Sequence, residues 1–458
     1  VSSRDTAAIT AKVLFYGDDF TGASDNTAQY ARHGLRTLLF FSDPGANRLK
    51  EAARHYDVIG VAGTTRSLTP AEMRTELLPV LEKFRQLRVP LVQYKCCSTF
   101  DSSPETGSLG QAAQLMQHCW PGSLIPVLAA TPEFGRYTLF GHHFARAGGA
   151  VYRLDRHPVM SRHPVTPMQE SDLALILAQQ GFTPAHAIDV RWLDKRADDP
   201  AALATELLML DSVVFDGCTQ QQVMTAAASL WQLSEQRQIC AIAAQGFAHA
   251  LGAWLRESGQ LNTALPTHQL AGVDRVLVLS GSCSALSAEQ IAWARQAGFT
   301  CVRADPALFA GQDRVAPSAS NALQVLEKRM IDALAFGTSV VVYTAEGPDD
   351  AADIAITASA IAQQIGQVFA RLARSAFATA GLQRLVVSGG DSSSFTMRAI
   401  GAQALEIKAS HFEQNAHVCT LVSGDPLIHG KEVLLKGGQV GQADLYGLML
   451  MGFGSESQ

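Results

Sequence analysis

Two adjacent carboxylates, Asp18 and Asp19, stand where the apolar run Val13 to Tyr16 ends in Gly17 and gives way to the small residues Thr21, Gly22, Ala23 and Ser24. The run reads as a buried strand, and Gly17 permits a sharp turn. Carboxylates at the carboxyl end of such a strand are placed to meet a ligand in an open α/β sheet. A pair of this kind can hold sugar hydroxyls, and one member can take the proton of an attacking hydroxyl. The plainer alternative is one Asp capping a helix and the other in solvent. The helix that follows is expected near Asn26–Arg32, with Ser24 or Asp25 as its N-cap.

Two more strand ends carry polar clusters. Val58–Val61 runs toward Thr65, Arg66 and Ser67, and Pro90–Tyr94 into Lys95, Ser98, Asp101 and Ser102. Arg66 offers a planar fork for a substrate carboxylate and Lys95 a point charge. The competing role for either cation is an ion pair with these same Asp residues. In a parallel sheet the three ends face one way and converge on one crevice. Residues 131–168 break the rhythm: Arg153, Arg156 and Arg162 accompany Pro158, Pro164 and Pro167. The segment reads as an irregular basic loop, either a wall over an anionic ligand or an exposed turn. Its histidines, His142, His143, His157 and His163, lack metal-ligand spacing, so no metal ligand is assigned.

The second half repeats a different design. Arg275–Leu279 enters Ser280-Gly281-Ser282-Cys283-Ser284, Leu385–Val387 enters Ser388-Gly389-Gly390-Asp391-Ser392-Ser393, and Val433–Leu435 enters Lys436-Gly437-Gly438. Strand, glycine- and serine-rich loop, then helix presents backbone N–H groups to an anion such as phosphate. Three such loops suit a nucleotide, though none has Walker A spacing. Asp391 is placed either to hold Mg²⁺ or to cap its helix.

The elements that position these groups alternate between strand and helix, with further strands at Thr37–Phe41, Leu124–Ala129, Ser212–Asp216, Ile239–Ala244, Thr300–Ala304 and Ser339–Thr344, and helices at Pro70–Leu87, Leu109–Cys119 and Ala351–Ala373. This rhythm predicts two α/β domains with mainly parallel sheets and a cleft between them. The expected division is a first domain over 1–256, a linker over 257–273 and a second domain over 274–458. Hydrophobic residues make up 47% of the 458, enough for large cores. A net charge of −6 argues against a nucleic-acid partner. The eight cysteines form no CxxC pair, which reads as reduced thiols in the cytoplasm. No run is apolar enough to span a membrane, and no signal segment is expected at the start.

Together the motifs resemble those of the four-carbon acid sugar kinase family. Gly17–Ala23 resembles its ADDFTGA signature, Lys95–Ser102 its K-x-CSTFDS motif, and His163–Met168 its HPVTPM motif. Ser280–Ser284 is similar to its SGSCS, Gly389–Ser393 to its GG[DE]TSG, and Leu435–Gly441 to its LKxGxxG, all in family order. The resemblance implies an ATP-dependent kinase, with Mg²⁺, acting on the terminal hydroxyl of D-threonate, D-erythronate or 3-oxo-tetronate. It implies an acid-sugar-binding N-terminal domain, an ATP-binding C-terminal domain and a homodimer. Substrate contacts carry over to Asp18, Asp19, Arg66, Lys95 and Asp101, beside Ser98 of the same cluster. Nucleotide contacts carry over to Ser282, Ser284, Gly389, Gly390, Asp391, Ser392, Ser393, Gly437 and Gly438. Within that frame Asp19 is the first choice of base, Asp101 the second, and Lys95 the cation that steadies transferred charge.

Three departures stand out. Ser394 replaces a family glycine, Leu421–Pro426 replaces a Pro-Gly-Val-Pro, and Arg153–Pro158 extends the basic segment. The last leaves room for a branched or longer acid sugar such as an oxo-isoapionate. The first two support an alternative, a non-catalytic acid-sugar or nucleotide-binding protein with a decayed ATP site. A dehydrogenase is disfavoured, because no GxGxxG follows a strand with an acidic residue at the expected distance.

Overall fold

The computed structural model describes residues 8–261, 263, 265, 269–309, 317–348, 350 and 358–454. The chain divides into two compact units, Val1–Pro266 and Thr267–Gln458. Part of the stretch expected as a linker, and the start of the helix expected at Ala351–Ala373, lie outside the described residues; the described helix there is Ala358–Thr379.

The first unit is built on eight parallel strands: β1 (Val13–Gly17), β2 (Thr37–Phe40), β3 (Val58–Ala62), β4 (Leu91–Lys95), β5 (Ile125–Leu128), and, after a small separate sheet, β9 (His186–Ile188), β10 (Ser212–Phe215) and β11 (Ile239–Ala243). Their order is β2-β3-β1-β4-β11-β5-β10-β9. β1, β3 and β4 are fully buried at every residue, so their apolar runs do not alternate. The chain winds out from β1 through β2 and β3, then crosses to β4 on the other side. β1 therefore lies at the switch point of the sheet, where ligands bind in folds of this type. Register aligns the ends: Gly17 pairs with Ala62 on one side and Lys95 on the other. A buried network of Asn26, Tyr30 and Gln93 ties the first helix to β4.

The helix after β1 is Phe20–Arg32, six residues longer at its start than the sequence pattern suggests. Its N-cap is Asp19, which accepts from the Gly22 N–H at 2.9 Å, while Ser24 and Asp25 are buried inside it. The small residues read as a loop because they are poor helix formers. They serve close packing instead: a Cβ on Gly17 would meet that of Ala23 at 2.5 Å.

Residues 136–153 are a three-stranded antiparallel sheet, not an irregular loop: β6 (Arg136–Leu139), β7 (His142–Ala147) and β8 (Ala150–Arg153). The two-residue turn Phe140-Gly141 has φ of 51° and 79°, and Gly148 of the second turn has 56°. Left-handed turns of this length match the twist of antiparallel hairpins. The prolines fall beyond this sheet, between and after two short 3₁₀ turns, Leu154–Arg156 and Met160–Arg162.

The second unit holds β12 (Val276–Ser280), β13 (Thr300–Arg303), β14 (Val340–Tyr343), β15 (Arg384–Ser388), β16 (Ala404–His411), β17 (Ala416–Val422) and β18 (Glu432–Lys436), in the order β13-β14-β12-β15-β18-β17-β16. The first five in that order are parallel, and β17 runs antiparallel to β18 and β16. Val278, Val341, Val386 and Leu434 from neighbouring strands pack with Ile291, Leu445 and Met449 in one apolar core. Among the described residues no helix is long and apolar enough to cross a membrane, and the eight cysteines form no disulfide.

Candidate active site

The aligned ends of β3, β1 and β4 bring Asp18, Asp19, Arg66 and Lys95 into one cluster. Arg66 donates from Nε and Nη2 to the two Asp18 oxygens at 3.2 Å each, and Nη2 lies 3.1 Å from Asp19 Oδ1. Lys95 Nζ stands 4.0 Å from Oδ1 of both Asp18 and Asp19. Backbone bonds hold the frame: Asp18 N–H donates to Lys95 O, Arg66 N–H to Asp18 O, and Cys97 N–H to Asp18 Oδ2. Gly22 makes the lysine's seat possible, because a Cβ there would lie 2.0 Å from Lys95 Nζ. The fork that the sequence offers to a substrate carboxylate is thus taken by Asp18, the ion-pair role weighed beside it. Only Nη1 of Arg66 lacks a partner among the described residues.

The two carboxylates differ in environment. Asp18 side-chain exposure is 3% and that of Asp19 is 27%. Burial pushes Asp18 up, and Arg66 and Lys95 only partly offset it. Burial also pushes Asp19 up, but Arg66, Lys95 and the Gly22 N–H outweigh it, so this carboxyl falls below its usual value. Asp19 is therefore ionised and reachable, and its Oδ2 receives no N–H among the described residues. For Arg66 and Lys95 burial favours the neutral form, but both Asp charges win and each stays a cation. The four charges sum to zero.

Ser98 and Asp101 lie on the loop after Lys95. Asp101 accepts from Thr99 Oγ1 at 2.6 Å and acts on Arg66 through its charge, without an ion pair to the four. Phe100, fully buried, holds the left-handed conformation (φ 58°) that turns this loop. The loop is braced by groups the sequence reading left aside. Gln180 donates to Ser102 Oγ at 2.8 Å, and Ser102 to Phe100 O at 2.9 Å. His143 on β7 meets Ser98 O through Nε2 at 2.8 Å and Thr138 Oγ1 through Nδ1 at 3.0 Å. A carbonyl only accepts, so Nε2 carries the proton. Burial pulls this histidine down to about 4, which keeps it neutral. His143 had a signal, a polar residue alternating inward on a strand, but the segment read as a loop hid it. Arg153 pairs with Asp155 at 2.6 Å, and Arg156 is 76% exposed, so these two do not line the cluster. The other three histidines bond to neighbouring protein groups. No group of three or more metal-ligating side chains occurs among the described residues.

In the second unit Ser280, Ser388 and Lys436 end three neighbouring strands in register. Ser284 caps the helix Ala285–Gln296, donating to Gly438 O at 2.6 Å, and Ser287 Oγ donates to Ser282 Oγ at 2.9 Å. Gly389 (φ 116°) precedes the helix Gly390–Ile400, which carries Ser392 and Ser393. The Asp391 side chain lies outside the described part of that helix, and Ser394 sits one residue beyond Ser393 within the helix rather than on the loop. A Cβ on Gly281 would strike Ser392 Oγ at 2.3 Å, and one on Gly438 would strike Ser282 Oγ at 2.8 Å. The loops therefore interlock through glycine edges and serine hydroxyls, with two helix N-termini beside them. Lys436 is 1% exposed, donates to Ser388 Oγ at 3.0 Å, and has no carboxylate within ion-pair distance among the described residues. The Ser280 and Tyr446 hydroxyls are buried beside this lysine's strand end, and Tyr446 interacts with Ser388 and Ser280.

A strand-end carboxylate pair held by cations in one unit, and serine–glycine loops at helix starts in the other, define a two-part carbohydrate-kinase arrangement. Residues 13–251 match a sugar-binding N-terminal domain and residues 277–446 a nucleotide-binding C-terminal domain. A 3-oxo-isoapionate kinase of Paraburkholderia graminis is 37% identical over 96% of this chain and 94% of its own length. A 3-oxo-tetronate kinase of Methylobacterium radiotolerans is 29% identical over 94% of this chain and 97% of its own. A Salmonella typhimurium LT2 protein, provisionally described as a tRNA synthase, shares the fold at a TM-score of 0.74 and 20% identity, over 95% of this chain and 97% of that one. The chain belongs to the four-carbon acid sugar kinase family, and it is an acid-sugar kinase rather than a decayed binding protein.

Proposed function

We propose that the chain phosphorylates the terminal hydroxyl of a small acid sugar with ATP, and that this sugar is of the 3-oxo-isoapionate class before the 3-oxo-tetronate class. The observation that carries the reading is the neutral Asp18–Asp19–Arg66–Lys95 cluster at the switch point of the first sheet. Asp19 Oδ2 accepts the proton of the attacking hydroxyl, while Oδ1 stays anchored by Gly22 N–H and Arg66. Asp18, sealed beneath, fixes Arg66. Lys95 faces the charge that develops on the transferred phosphoryl group, where a fixed cation lowers the barrier.

ATP phosphates fit the second unit's loops, where glycine edges admit close approach and helix starts supply N–H donors. Mg²⁺ would neutralise phosphate charge there. It keeps waters and needs few protein ligands, which suits a site rich in hydroxyls. Cytoplasmic location and a homodimer belong to the same proposal.

The test is ADP release from the purified chain with 3-oxo-isoapionate, 3-oxo-tetronate, D-threonate and D-erythronate. One acid should turn over well. Asp19→Asn should lower kcat by about 10²–10⁴, the usual range for a lost general base. Normal turnover by that variant would remove Asp19 from the role.

A further inference from the structure

The cluster's neutrality leaves a question that its own residues do not answer: what holds the substrate's negative end. Arg66 and Lys95 are both committed to Asp18 and Asp19. One further cation is carried to the site by the fold. Arg136 begins β6, and Thr138, two residues on, points to the same face of the small sheet. Thr138 bonds His143, and His143 bonds Ser98 O in the loop after Lys95. That face of the sheet is therefore docked on the loop that holds Ser98 and Asp101. Arg136 lies close enough to feel the charge of Asp101, and His143 and His157 in turn feel Arg136.

Its guanidinium is unusually free. Nη1 donates to Phe134 O at 2.8 Å and approaches Gly135 O at 3.4 Å. Nε is buried and has no hydrogen-bond partner, and Nη2 has none either, among the described residues. Among the described residues no carboxylate lies within ion-pair distance of it. Nε and Nη2 form the edge of a guanidinium that grips a carboxylate with two parallel bonds. A buried donor without a partner is costly unless a ligand supplies the acceptor.

We propose that Arg136 binds the carboxylate of the acid sugar through its Nε–Nη2 edge, so that the sugar lies along the Ser98–Asp101 loop with its far hydroxyl toward Asp19. The assignment rests on the acid-sugar reading above and adds the group that makes the enzyme choose acids over neutral sugars. Burial and the nearby Arg146 weaken the guanidinium's hold on its proton slightly, and a bound carboxylate reverses that.

The experiment pairs whichever of the four acids the native chain turns over with the neutral analogue in which CH₂OH replaces its carboxylate, erythrulose in the case of 3-oxo-tetronate. Binding is measured by calorimetry without ATP, and turnover by ADP release. Arg136→Met should weaken binding of the acid, and raise its KM, by about 100-fold, the scale of truncating one partner of a buried charge pair. It should lower kcat for the acid less than tenfold and cost the neutral analogue far less affinity than the acid. Arg136→Lys, which keeps the charge and loses the fork, should recover part of the affinity, and Arg136→Gln guards against a misfolded Met variant. A Met or Gln variant that is folded by circular dichroism and binds the acid as the native chain does overturns the assignment. So does an equal loss for acid and neutral analogue. If the native chain neither binds nor phosphorylates any of the four acids, the acid-sugar reading itself falls, and this assignment with it.

Discussion

Replacing Gly22 with alanine sets two opposing effects against each other, and their sizes decide the sign. In an ordinary helix the change stabilises by about 1 kcal/mol, because alanine loses less backbone freedom. Here the new Cβ would lie 2.0 Å from Lys95 Nζ, 3.2 Å from its Cε and 2.4 Å from Asp19 Oδ1. The ammonium would have to retreat by more than about 1 Å to reach normal contact. Lys95 is fully enclosed, with a side-chain exposure of 3%, and sits 4.0 Å from each carboxylate. Overpacking of such a site costs about 1–3 kcal/mol, and pulling a buried cation off its partners costs up to about 3–5 kcal/mol. The clash wins, for a net loss of about 2–4 kcal/mol in the first unit. On the role proposed for Lys95, losing this fixed cation should lower kcat by roughly 10²–10³. Urea unfolding followed by circular dichroism gives the first quantity and ADP release at saturating substrates the second. A variant that unfolds at higher urea and keeps kcat within about threefold would refute the placement of Lys95 against this glycine.

Acid stability provides a second check. His143 holds its proton less tightly in the folded chain, at about 4, than the 6.5 it has when unfolded. Its contribution is complete above about pH 6.5 and is lost as pH falls toward 4, by about 2 kcal/mol between pH 7 and 5. His143→Gln should remove that part of the slope in unfolding measured across this range. Burial likewise brings Lys436 down to about 8 from 10.5. The folded chain then gains stability as pH rises from 8 to 10.5, and the charged lysine costs about 3 kcal/mol at neutral pH. Lys436→Met should therefore be harder to unfold at pH 7, by a margin that closes near pH 10, while on the proposed seating of ATP its KM for ATP should rise at least about tenfold with the loss of this buried cation.

Much of the architecture was legible because it is periodic. Fully buried strands such as that expected at Val58–Val61 read as unbroken apolar runs, and the helix Pro70–Leu87 shows in its helical pattern with Pro70 in the first turn; the structure adds a Thr69–Glu72 capping box that this reading leaves out. The grouping of Asp18, Asp19, Arg66 and Lys95 followed from three adjacent strand ends. What escaped was masked by neighbouring residues. The helix start at Phe20 is set by Asp19 as N-cap, the capping role weighed for one of the two carboxylates, and the small residues Thr21 to Ser24, poor helix formers, hid it. The small sheet hid behind neighbouring prolines, although Phe140-Gly141 and Gly148-Gly149 are hairpin turns. With it went the brace His143 and the free edge of Arg136. The antiparallel pair β16–β17 was missed in the same way, since its turn is a 3₁₀ segment with Asn415 at φ 50°.

The paired hydrogen bonds from Arg66 to Asp18 have a practical consequence for redesign. The same two residues are also joined through the backbone, Arg66 N–H to Asp18 O. Altering Arg66 alone leaves the buried Asp18 with only Lys95 at 4.0 Å and the Cys97 N–H to offset its charge, and altering Asp18 alone leaves Arg66 with Asp19 as its one ion-pair partner, so single replacements at these positions unbalance the whole cluster. A combinatorial library aimed at new acceptors should randomise positions 18 and 66 jointly, and score them as one unit whose effects will not add.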